Sequence, residues 1–262
     1  MTKIALFFDI DGTIWDNDHP SISDRLIQTL NRLEKNKFSI YINTGRSLHS
    51  IPSQVIEPIN WDGYICNNGA RILDHSKQEI FCATFTEENY REITTIAREK
   101  NICLEVKTRD ARNLNQAPNA FQVQAQKFFG GGSPKIHSID HIHYKEVIGF
   151  IIYGDTEIQN YFSNISGVRL LPGKANYADI VVNEIDKTTG IKFVSNNEPI
   201  QQTISFGDSL NDLDMIRFAD IGVVVENSVH ELKQIADEIV PCVSENGVGR
   251  FIEERLLSNL SN

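Results

Sequence analysis

This sequence of 262 residues has little cysteine, no cluster of Lys and Arg, and no long apolar run. Its four cysteines are scattered and none belongs to a CxxC pair, which argues against a structural zinc site or a redox motif and fits a reducing compartment. No apolar run approaches the length that crosses a bilayer, so no membrane partner is expected. The net charge is −10, and because a phosphate backbone needs a basic patch, nucleic acid is not an expected partner either.

The rest of the composition is ordinary for a globular protein, with 40% hydrophobic and 23% charged residues. A chain of this length can form one large domain or two smaller ones, and either can bury a core. Met1-Thr-Lys leads directly into an apolar strand, so we expect no signal peptide and a cytoplasmic protein. The excess of carboxylates suits a divalent cation, and it suits solubility equally well.

Two carboxylates follow the first apolar run of the chain. Five apolar residues, Ile4 to Phe8, lead into Asp9 and Asp11, which is the pattern of a strand buried on both faces of a parallel sheet. Side chains two residues apart point the same way from a strand, so these two aspartates can share one site. Adjacent carboxylates repel each other and lose water together, which is costly without a cation. A polar strand end with two solvated aspartates is the alternative.

Strands and helices alternate in both the first and the last part of the chain. Further buried strands are predicted at 38–43, 63–66, 203–206 and 221–225, and the first helix is predicted to begin after an N-cap at Ser23. This alternation is typical of an α/β fold with a doubly wound, Rossmann-like parallel sheet. In such sheets ligands bind outside the carboxyl ends of the strands.

The pattern changes in the middle of the chain, where helices alternate with paired strands. This favours an α+β unit with an antiparallel sheet. We therefore predict that residues 83–183 form a second domain inserted into a core of residues 1–82 and 184–262. Helices are also predicted over 156–165 in the insertion and over 229–236 in the core.

Part of the insertion carries no clear pattern. Residues 109–146 are polar and irregular in sequence, apart from a predicted helix at 120–128. The Gly130–Gly132 run is expected to be a mobile loop, because no strand precedes it and no clear helix follows. His141 and His143 have no nearby cysteine, so we expect a solvated loop there and no metal site.

Four polar features fall on one edge of the predicted core sheet. Besides the aspartate pair, Thr44-Gly45 ends the second strand, Lys187 begins a helix, and Asp208 and Asp212 follow a late strand. Carboxylate oxygens with water are the ligand set of Mg²⁺. A hydroxyl, backbone N–H groups and an ammonium bind a phosphoryl group. Each feature alone is compatible with an ordinary turn or a solvated helix start, so only their joint order is specific.

These motifs, in this order, resemble the haloacid dehalogenase superfamily and, within it, the Cof-type phosphatases, whose inserted α/β cap is of type IIB. The resemblance covers about residues 3–82 and 184–257. The segments that carry it are Asp9-Ile-Asp11-Gly12-Thr13, Thr44-Gly45-Arg46, Asn68-Gly69-Ala70, Lys187 before Gly190, and Gly207-Asp208-Ser-Leu-Asn211-Asp212.

The resemblance implies a role for each residue in phosphoryl transfer. Asp9 would be the nucleophile that forms an aspartyl-phosphate. Asp11 would be the general acid that protonates the leaving group and then the base that activates water. Thr44 and Lys187 would hold the phosphoryl oxygens, with the Gly45 N–H helping.

The resemblance also implies a Mg²⁺ site. Its ligands would be Asp9, the backbone carbonyl of Asp11 and Asp208, with Asp212 close to the metal, directly or through water. Asn211 would contact the phosphate or order the loop.

Two departures from the family pattern bear on this prediction. Lys187 is followed by Thr-Thr-Gly190, where many members have the glycine sooner, which shifts the helix start but keeps the ammonium. Trp15 and Asp16 stand after Ile14, where many members have two leucines. We expect these two residues to reach the entrance of the site and to influence substrate choice.

The sequence therefore predicts a Mg²⁺-dependent phosphatase for small phosphorylated metabolites, such as sugar phosphates or phosphorylated cofactors. A small molecule is expected because an inserted lid would obstruct a folded protein. Three alternatives stay open: a phosphomutase of the same superfamily, a receiver-like signalling domain that is phosphorylated on aspartate, and a catalytically silent binding protein. The receiver needs only about half this length and no inserted domain.

Overall fold

The structure is a computed structural model that describes residues 2–129, 133–173 and 176–258. Within these ranges the strands form one sheet of eight and one of six. In chain order the strands are β1 (Lys3–Phe8), β2 (Phe38–Asn43), β3 (Gly63–Cys66), β4 (Arg71–Asp74), β5 (Glu79–Cys82), β6 (Cys103–Thr108), β7 (Arg112–Leu114), β8 (Lys135–Ile136), β9 (Val147–Tyr153), β10 (Val168–Pro172), β11 (Tyr177–Val182), β12 (Ile200–Gly207), β13 (Ile221–Val225) and β14 (Glu238–Val240).

The helices connect these strands and flank both sheets. They are α1 (Asp24–Asn31), α2 (Ser53–Ile56), α3 (Glu87–Glu99), α4 (Ala120–Phe129), α5 (Thr156–Asn160), α6 (Lys187–Asn197), α7 (Leu213–Phe218), α8 (His230–Lys233) and α9 (Gly247–Ile252). One π-helical stretch, Glu253–Leu257, continues α9. In the part of the chain that the structure describes, no helix combines the length and the apolar character needed to cross a membrane.

The first sheet has the strand order β14-β13-β12-β1-β2-β3-β4-β5. Its strands from β14 to β3 are parallel, β4 pairs with β3 in antiparallel orientation, and β5 pairs with β4 in antiparallel orientation. In β1, Leu6 and Phe8 pack into a core on one face, where Phe8 stacks on Phe206 with ring centroids 4.7 Å apart. Ala5 and Phe7 pack into a second core on the other face. Burial on both faces confirms the predicted doubly wound sheet.

The second sheet has the strand order β10-β11-β9-β6-β7-β8. Its pairs are antiparallel except for β7 and β8, which are parallel. One face packs against α3 through residues such as Leu104, Val106 and Phe150. All strands of this sheet lie within the predicted insertion, and the domain boundaries at residues 83 and 184 stay a prediction.

The start of α1 agrees with the sequence, because the Ser23 side chain accepts a hydrogen bond from the Leu26 N–H. Two helices are shorter than predicted. α5 ends at Asn160, after which Phe162 and Ile165 are buried in turns with bonds between residues three apart. Their apolar spacing therefore reflects burial and not a continuing helix. Likewise α8 covers only His230–Lys233 of the predicted 229–236.

The irregular segment predicted at 109–146 was partly wrong. It contains β7 and β8, whose short polar sequences give no alternation to read. The predicted helix at 120–128 is confirmed as α4. The Gly130–Gly132 loop lies outside the described residues, and His141 and His143 are exposed, as expected.

Candidate active site

Three neighbouring strands of the first sheet end at the same edge. β1 lies between β2 and β12 and runs parallel to both. The residues that follow these strands are Asp9, Thr44 and Asp208. All three are buried and come together below the second sheet, with Asp9 and Thr44 lining the pocket between the two sheets. These three residues therefore lie together at the carboxyl ends of the strands, as the sequence predicts.

The carboxylate of Asp9 is held from two sides. Its Oδ1 accepts a hydrogen bond from Lys187 Nζ at 2.6 Å, and its Oδ2 accepts one from Thr13 Oγ1 at 3.3 Å. Lys187 Nζ also lies 2.5 Å from Asp212 Oδ1. The ammonium thus bridges two carboxylates, and Lys187 is fully buried.

Lys187 is placed by the start of α6. Asp186 caps this helix and accepts the Thr188 N–H at 2.6 Å. From β2, the Asn43 side chain donates a hydrogen bond to the Lys187 carbonyl at 2.9 Å. The later glycine, Gly190, packs directly against Ile65, so the spacing after Lys187 fits the close approach of α6 to the sheet.

Asp9, Asp208 and Asp212 form a buried carboxylate cluster. One oxygen of each lies within 4.8 Å of the others. The second oxygen of Asp212 accepts the backbone N–H groups of Asp208 and Ser209, each at 2.9 Å. This pair of bonds fixes the loop after β12 around the cluster.

Burial and neighbouring charges shift the pKa values of Asp9 and Lys187. The pKa of Asp9 is raised well above its usual value, mainly by burial and then by Asp212, against the lowering effect of Lys187. Burial alone would lower the pKa of Lys187, but Asp212 and Asp9 outweigh burial and raise it. One ammonium therefore leaves repulsion between the carboxylates, and a divalent cation would relieve that repulsion.

The loop after β1 also fits a cation site. Gly12 has a φ of +82°, and a Cβ built there would lie 2.5 Å from Asp208 Oδ2. Only glycine lets the loop approach the carboxylate this closely in this conformation. The donor set of carboxylate oxygens is the kind that a hard divalent cation prefers. Asp9, Asp208 and Asp212 thus fit a metal site by distance, burial and chemistry.

The carboxylate of Asp11 lies outside this cluster and is bound to Arg46. Arg46 Nε lies 2.7 Å from Oδ2, Nη2 lies 2.7 Å from Oδ1, and Nη1 donates to the Ser50 carbonyl at 2.7 Å. Metal binding through the Asp11 backbone carbonyl stays a prediction. Arg46 belongs to the motif Thr44-Gly45-Arg46 but was not predicted as a site residue. The signal that could have identified Arg46 is its residue type, because the planar guanidinium of arginine suits bidentate binding of a carboxylate.

Lys187 is fully buried outside the pocket lining, whereas the other three predicted phosphoryl-binding residues line the pocket. Thr44, Gly45 and Asn211 all face it. Thr44 Oγ1 accepts the Arg46 N–H at 3.1 Å, which leaves its hydroxyl proton to donate elsewhere. Asn211 Nδ2 donates to Asn68 Oδ1 at 3.0 Å, so Asn211 orders the loop while it lines the pocket.

Residues of the second sheet cover the pocket from the opposite side. They include Lys107 of β6, Arg112 of β7, Ile151 of β9, and Tyr177 and Asp179 of β11. None of these was predicted from the sequence, because their position depends on how the second sheet lies over the first. Local sequence carries no signal for that arrangement.

The expectation that Trp15 and Asp16 reach the site entrance was wrong. Trp15 is buried in the core of the first sheet. Asp16 closes a turn by accepting the backbone N–H groups of Asp18 and His19. Neither residue belongs to the pocket lining among the described residues.

Comparison with known proteins places the whole chain among related sequences. The family described as haloacid dehalogenase-like hydrolase matches residues 6–252. YkrA of Bacillus subtilis (strain 168) is 28% identical over 97% of this chain and 98% of its own length. YitU of the same organism, named 5-amino-6-(5-phospho-D-ribitylamino)uracil phosphatase, is 24% identical over 94% of this chain and 95% of its own length.

A solved structure gives the same result for the fold. It is that of BT4131, described as a sugar phosphatase of subclass IIB of the superfamily. It superposes with a TM-score of 0.85 at 25% identity and covers 97% of this chain and 98% of its own. The strand arrangement of both sheets is therefore that of a known enzyme architecture.

Proposed function

This chain belongs to the haloacid dehalogenase-like hydrolase family, and we propose on that premise that it is a Mg²⁺-dependent phosphatase of small phosphorylated metabolites. The proposed reaction proceeds through an aspartyl-phosphate. The observation that carries the proposal is the buried carboxylate of Asp9, held 2.6 Å from Lys187 beside two further carboxylates at the edge of the pocket.

Asp9 is the proposed nucleophile. Its carboxylate oxygen attacks phosphorus while the bond from phosphorus to the leaving oxygen breaks, which gives an acyl phosphate on Asp9. Asp11 donates a proton to the leaving oxygen. Asp11 then takes a proton from water, whose oxygen attacks the same phosphorus and releases inorganic phosphate and free Asp9.

Asp9, Asp208 and Asp212 are the proposed residues that hold Mg²⁺. When bound, the cation would neutralise charge on the phosphoryl oxygens and on the carboxylates. Lys187 supplies a fixed positive charge beside Asp9 for the same phosphoryl group. The raised pKa of Asp9 supports this proposal, because burial and carboxylate repulsion oppose its ionised form until positive charge is added.

Thr44, Gly45, Lys187 and Asn211 are the proposed phosphoryl-binding residues. Thr44 offers a hydroxyl and Gly45 an N–H at the carboxyl end of β2, as a phosphoryl oxygen requires. Positioning and charge neutralisation supply most of the catalysis in phosphoryl transfer. These four residues therefore provide most of the binding and charge neutralisation that the proposed reaction needs from the protein.

A small substrate is supported by the cover that the second sheet forms over the pocket. Lys107 Nζ of that sheet lies 3.5 Å from the Gly45 carbonyl, so the space between the second sheet and the proposed phosphoryl site is small. Sugar phosphates and phosphorylated cofactors match this size. BT4131 is described as a sugar phosphatase and YitU as a phosphatase of a ribityl compound, which supports the same class.

The test is phosphate release from a panel of phosphorylated metabolites, with Mg²⁺ and with chelator, for the wild type and Asp9→Asn. The substitution keeps the shape of the side chain and removes its charge. We expect release that needs Mg²⁺ and falls by about 10³-fold or more in the variant, as for loss of a nucleophile. A stable phospho-Asp9 without turnover would favour the receiver-like alternative, and phosphate exchange between two positions of one sugar would favour a mutase.

A further inference from the structure

The second sheet presents two buried ion pairs to the pocket. Lys107 Nζ lies 2.6 Å from Asp179 Oδ1, and Arg112 Nε lies 2.6 Å from Glu105 Oε1. The side chains of Lys107 and Asp179 are only 6% and 14% exposed. Lys107, Arg112 and Asp179 all line the pocket that contains Asp9.

Strand alternation explains why these charges face the pocket. In β6, Leu104 and Val106 point to the core beneath α3, so Glu105 and Lys107 point to the opposite face. Lys107 lies opposite Gly149 of β9, and a Cβ built at Gly149 would touch the Lys107 side chain at 3.4 Å. The missing side chain of Gly149 lets the Lys107 stem cross β9 towards Asp179 on β11.

A buried ion pair is a poor source of stability. Apolar side chains of similar volume stabilise a sheet face as well or better, because the charges lose their hydration. The other face of this sheet is apolar throughout β6 and β9, so the fold itself does not demand charge here. Lys107 Nζ also lies 3.5 Å from the Gly45 carbonyl, which puts the pair beside the proposed phosphoryl site.

We propose that Lys107 and Asp179 form a subsite for the leaving group and select one that carries vicinal hydroxyls. This inference rests on the proposed phosphatase function. The ammonium donates a hydrogen bond to one hydroxyl oxygen, and the carboxylate accepts one from the neighbouring hydroxyl. A diol can bridge the intact pair in this way. A zwitterionic amino acid would have to separate the two charges in order to bind each of them.

The surroundings of the pair suit the carbon chain of a polyol. Ile151 of β9 pairs with Asp179, and Leu171 of β10 pairs with it from the other side, so both flank the carboxylate with apolar surface. The ring of Tyr177 covers Gly173, where a Cβ would lie 1.9 Å from the ring. These groups contact C–H surface while the ion pair binds hydroxyls.

The test compares two substrates of equal chain length in Lys107→Met and Asp179→Asn. Sorbitol 6-phosphate carries vicinal hydroxyls and hexyl phosphate carries none. We expect the wild type to prefer sorbitol 6-phosphate, and the ratio of the two kcat/KM values to fall by about tenfold to a hundredfold in each variant, as for lost charged hydrogen bonds. Arg98→Met is the control, because the Arg98–Asp140 pair is exposed and does not line the pocket.

Removing one charge leaves the other buried, so thermal unfolding of each variant is measured alongside. If a single variant does not fold, the double variant Lys107→Met/Asp179→Leu, which removes both charges, carries the same comparison. An unchanged ratio in a folded variant, or a wild-type preference for O-phosphoserine over sorbitol 6-phosphate, would overturn the subsite. Release from hexyl phosphate without preference overturns the subsite and keeps the phosphatase, whereas no release from any compound overturns both.

Discussion

The guanidinium of Arg46 binds both carboxylate oxygens of Asp11, with Nε and Nη2 each 2.7 Å from an oxygen. Its third nitrogen donates to the Ser50 carbonyl at 2.7 Å, so the core holds the fork itself in place. Two parallel hydrogen bonds fix the plane of a carboxylate as well as its position. Asp11 is thus held in a fixed orientation, which both proton transfers proposed for it require.

Arg46→Lys is expected to slow both proton transfers that are proposed for Asp11. Lysine keeps the charge but cannot make both bonds, so the carboxylate of Asp11 loses its fixed plane. We expect kcat to fall by about tenfold to a hundredfold, within the range of general acid–base catalysis. Rapid quench with a labelled substrate should show aspartyl-phosphate forming and decaying more slowly in the variant.

Arg25→Lys is a matched control for this substitution. Arg25 binds both oxygens of Glu253 in the same fork arrangement, does not line the pocket and is largely exposed. We expect its kcat to equal that of the wild type. If Arg46→Lys also kept the wild-type kcat, the bidentate contact would not position Asp11 for catalysis.

Lys187→Met is expected to destabilise the metal-free protein. It removes the ammonium that bridges Asp9 and Asp212, and breaking a buried pair of this kind costs about 3–5 kcal/mol. Urea unfolding in chelator measures the loss, and Lys192→Met, an exposed lysine of the same helix, should cost far less. A loss equal to that of the control would show that the ammonium does not stabilise the cluster.

The same variant has a predictable pH dependence. Burial and Asp212 already raise the pKa of Asp9, and removal of Lys187 takes away the group that lowers it. A carboxyl with a raised pKa in the folded state binds its proton more tightly there than in the unfolded state, so protonation stabilises the fold. The loss in free energy of unfolding caused by Lys187→Met should therefore be smaller at acidic than at neutral pH.

Much of the site follows from local sequence because each of its core residues ends a strand or begins a helix. Asp9, Thr44 and Asp208 come directly after buried apolar runs, and parallel strands bring their carboxyl ends together. Lys187 follows a helix cap that the sequence displays. These positions require no knowledge of distant packing.

The remainder could not be read from the sequence because it depends on contacts between distant segments. Lys107 and Asp179 are 72 positions apart and meet only through the strand order of the second sheet. Trp15 looked like an entrance residue by position, but the turn after Gly12 directs it into the core. Phe162 and Ile165 showed helical spacing because both are buried, although the chain turns there.

Mg²⁺ is expected to stabilise the wild type against unfolding. Binding to the folded state alone adds about 2.7 kcal/mol when Mg²⁺ is at a hundred times its Kd. Asp208→Asn should lose most of this gain, because it removes one of the three clustered carboxylates. Asp140 is exposed and does not belong to this cluster, so Asp140→Asn should keep the full stabilisation by Mg²⁺.

The metal-free form of Asp208→Asn gives a second check on this prediction. Asp208 is one of the carboxylates that raise the pKa of Asp9, so its charge repels the cluster. Removing that charge should leave the metal-free protein at least as stable as the wild type in chelator. A variant that is less stable in chelator yet gains as much from Mg²⁺ as the wild type would contradict the assignment.

Gly12→Ala separates backbone strain from damage to the proposed metal site. Gly12 has a φ of +82°, and a Cβ there would lie 2.5 Å from Asp208 Oδ2, so alanine must displace that carboxylate. Gly167 has nearly the same φ, +79°, but the nearest atom to its Cβ is Asn89 Oδ1 at 3.6 Å. Both alanine variants should lose about 1–2 kcal/mol of stability in chelator, as a left-handed conformation costs any L-residue. Gly12→Ala should lose more, because its Cβ also displaces Asp208.

Only Gly12→Ala should also lose function. We expect its stabilisation by Mg²⁺ to fall and its Mg²⁺-dependent phosphate release to drop by about tenfold or more, because Asp208 no longer lies beside Asp9 and Asp212. Gly167→Ala should retain both properties, since the Gly167 Cβ would meet only Asn89 and Gly167 does not line the pocket. Equal loss of activity in the two variants would mean that stability, and not the position of Asp208, limits the reaction.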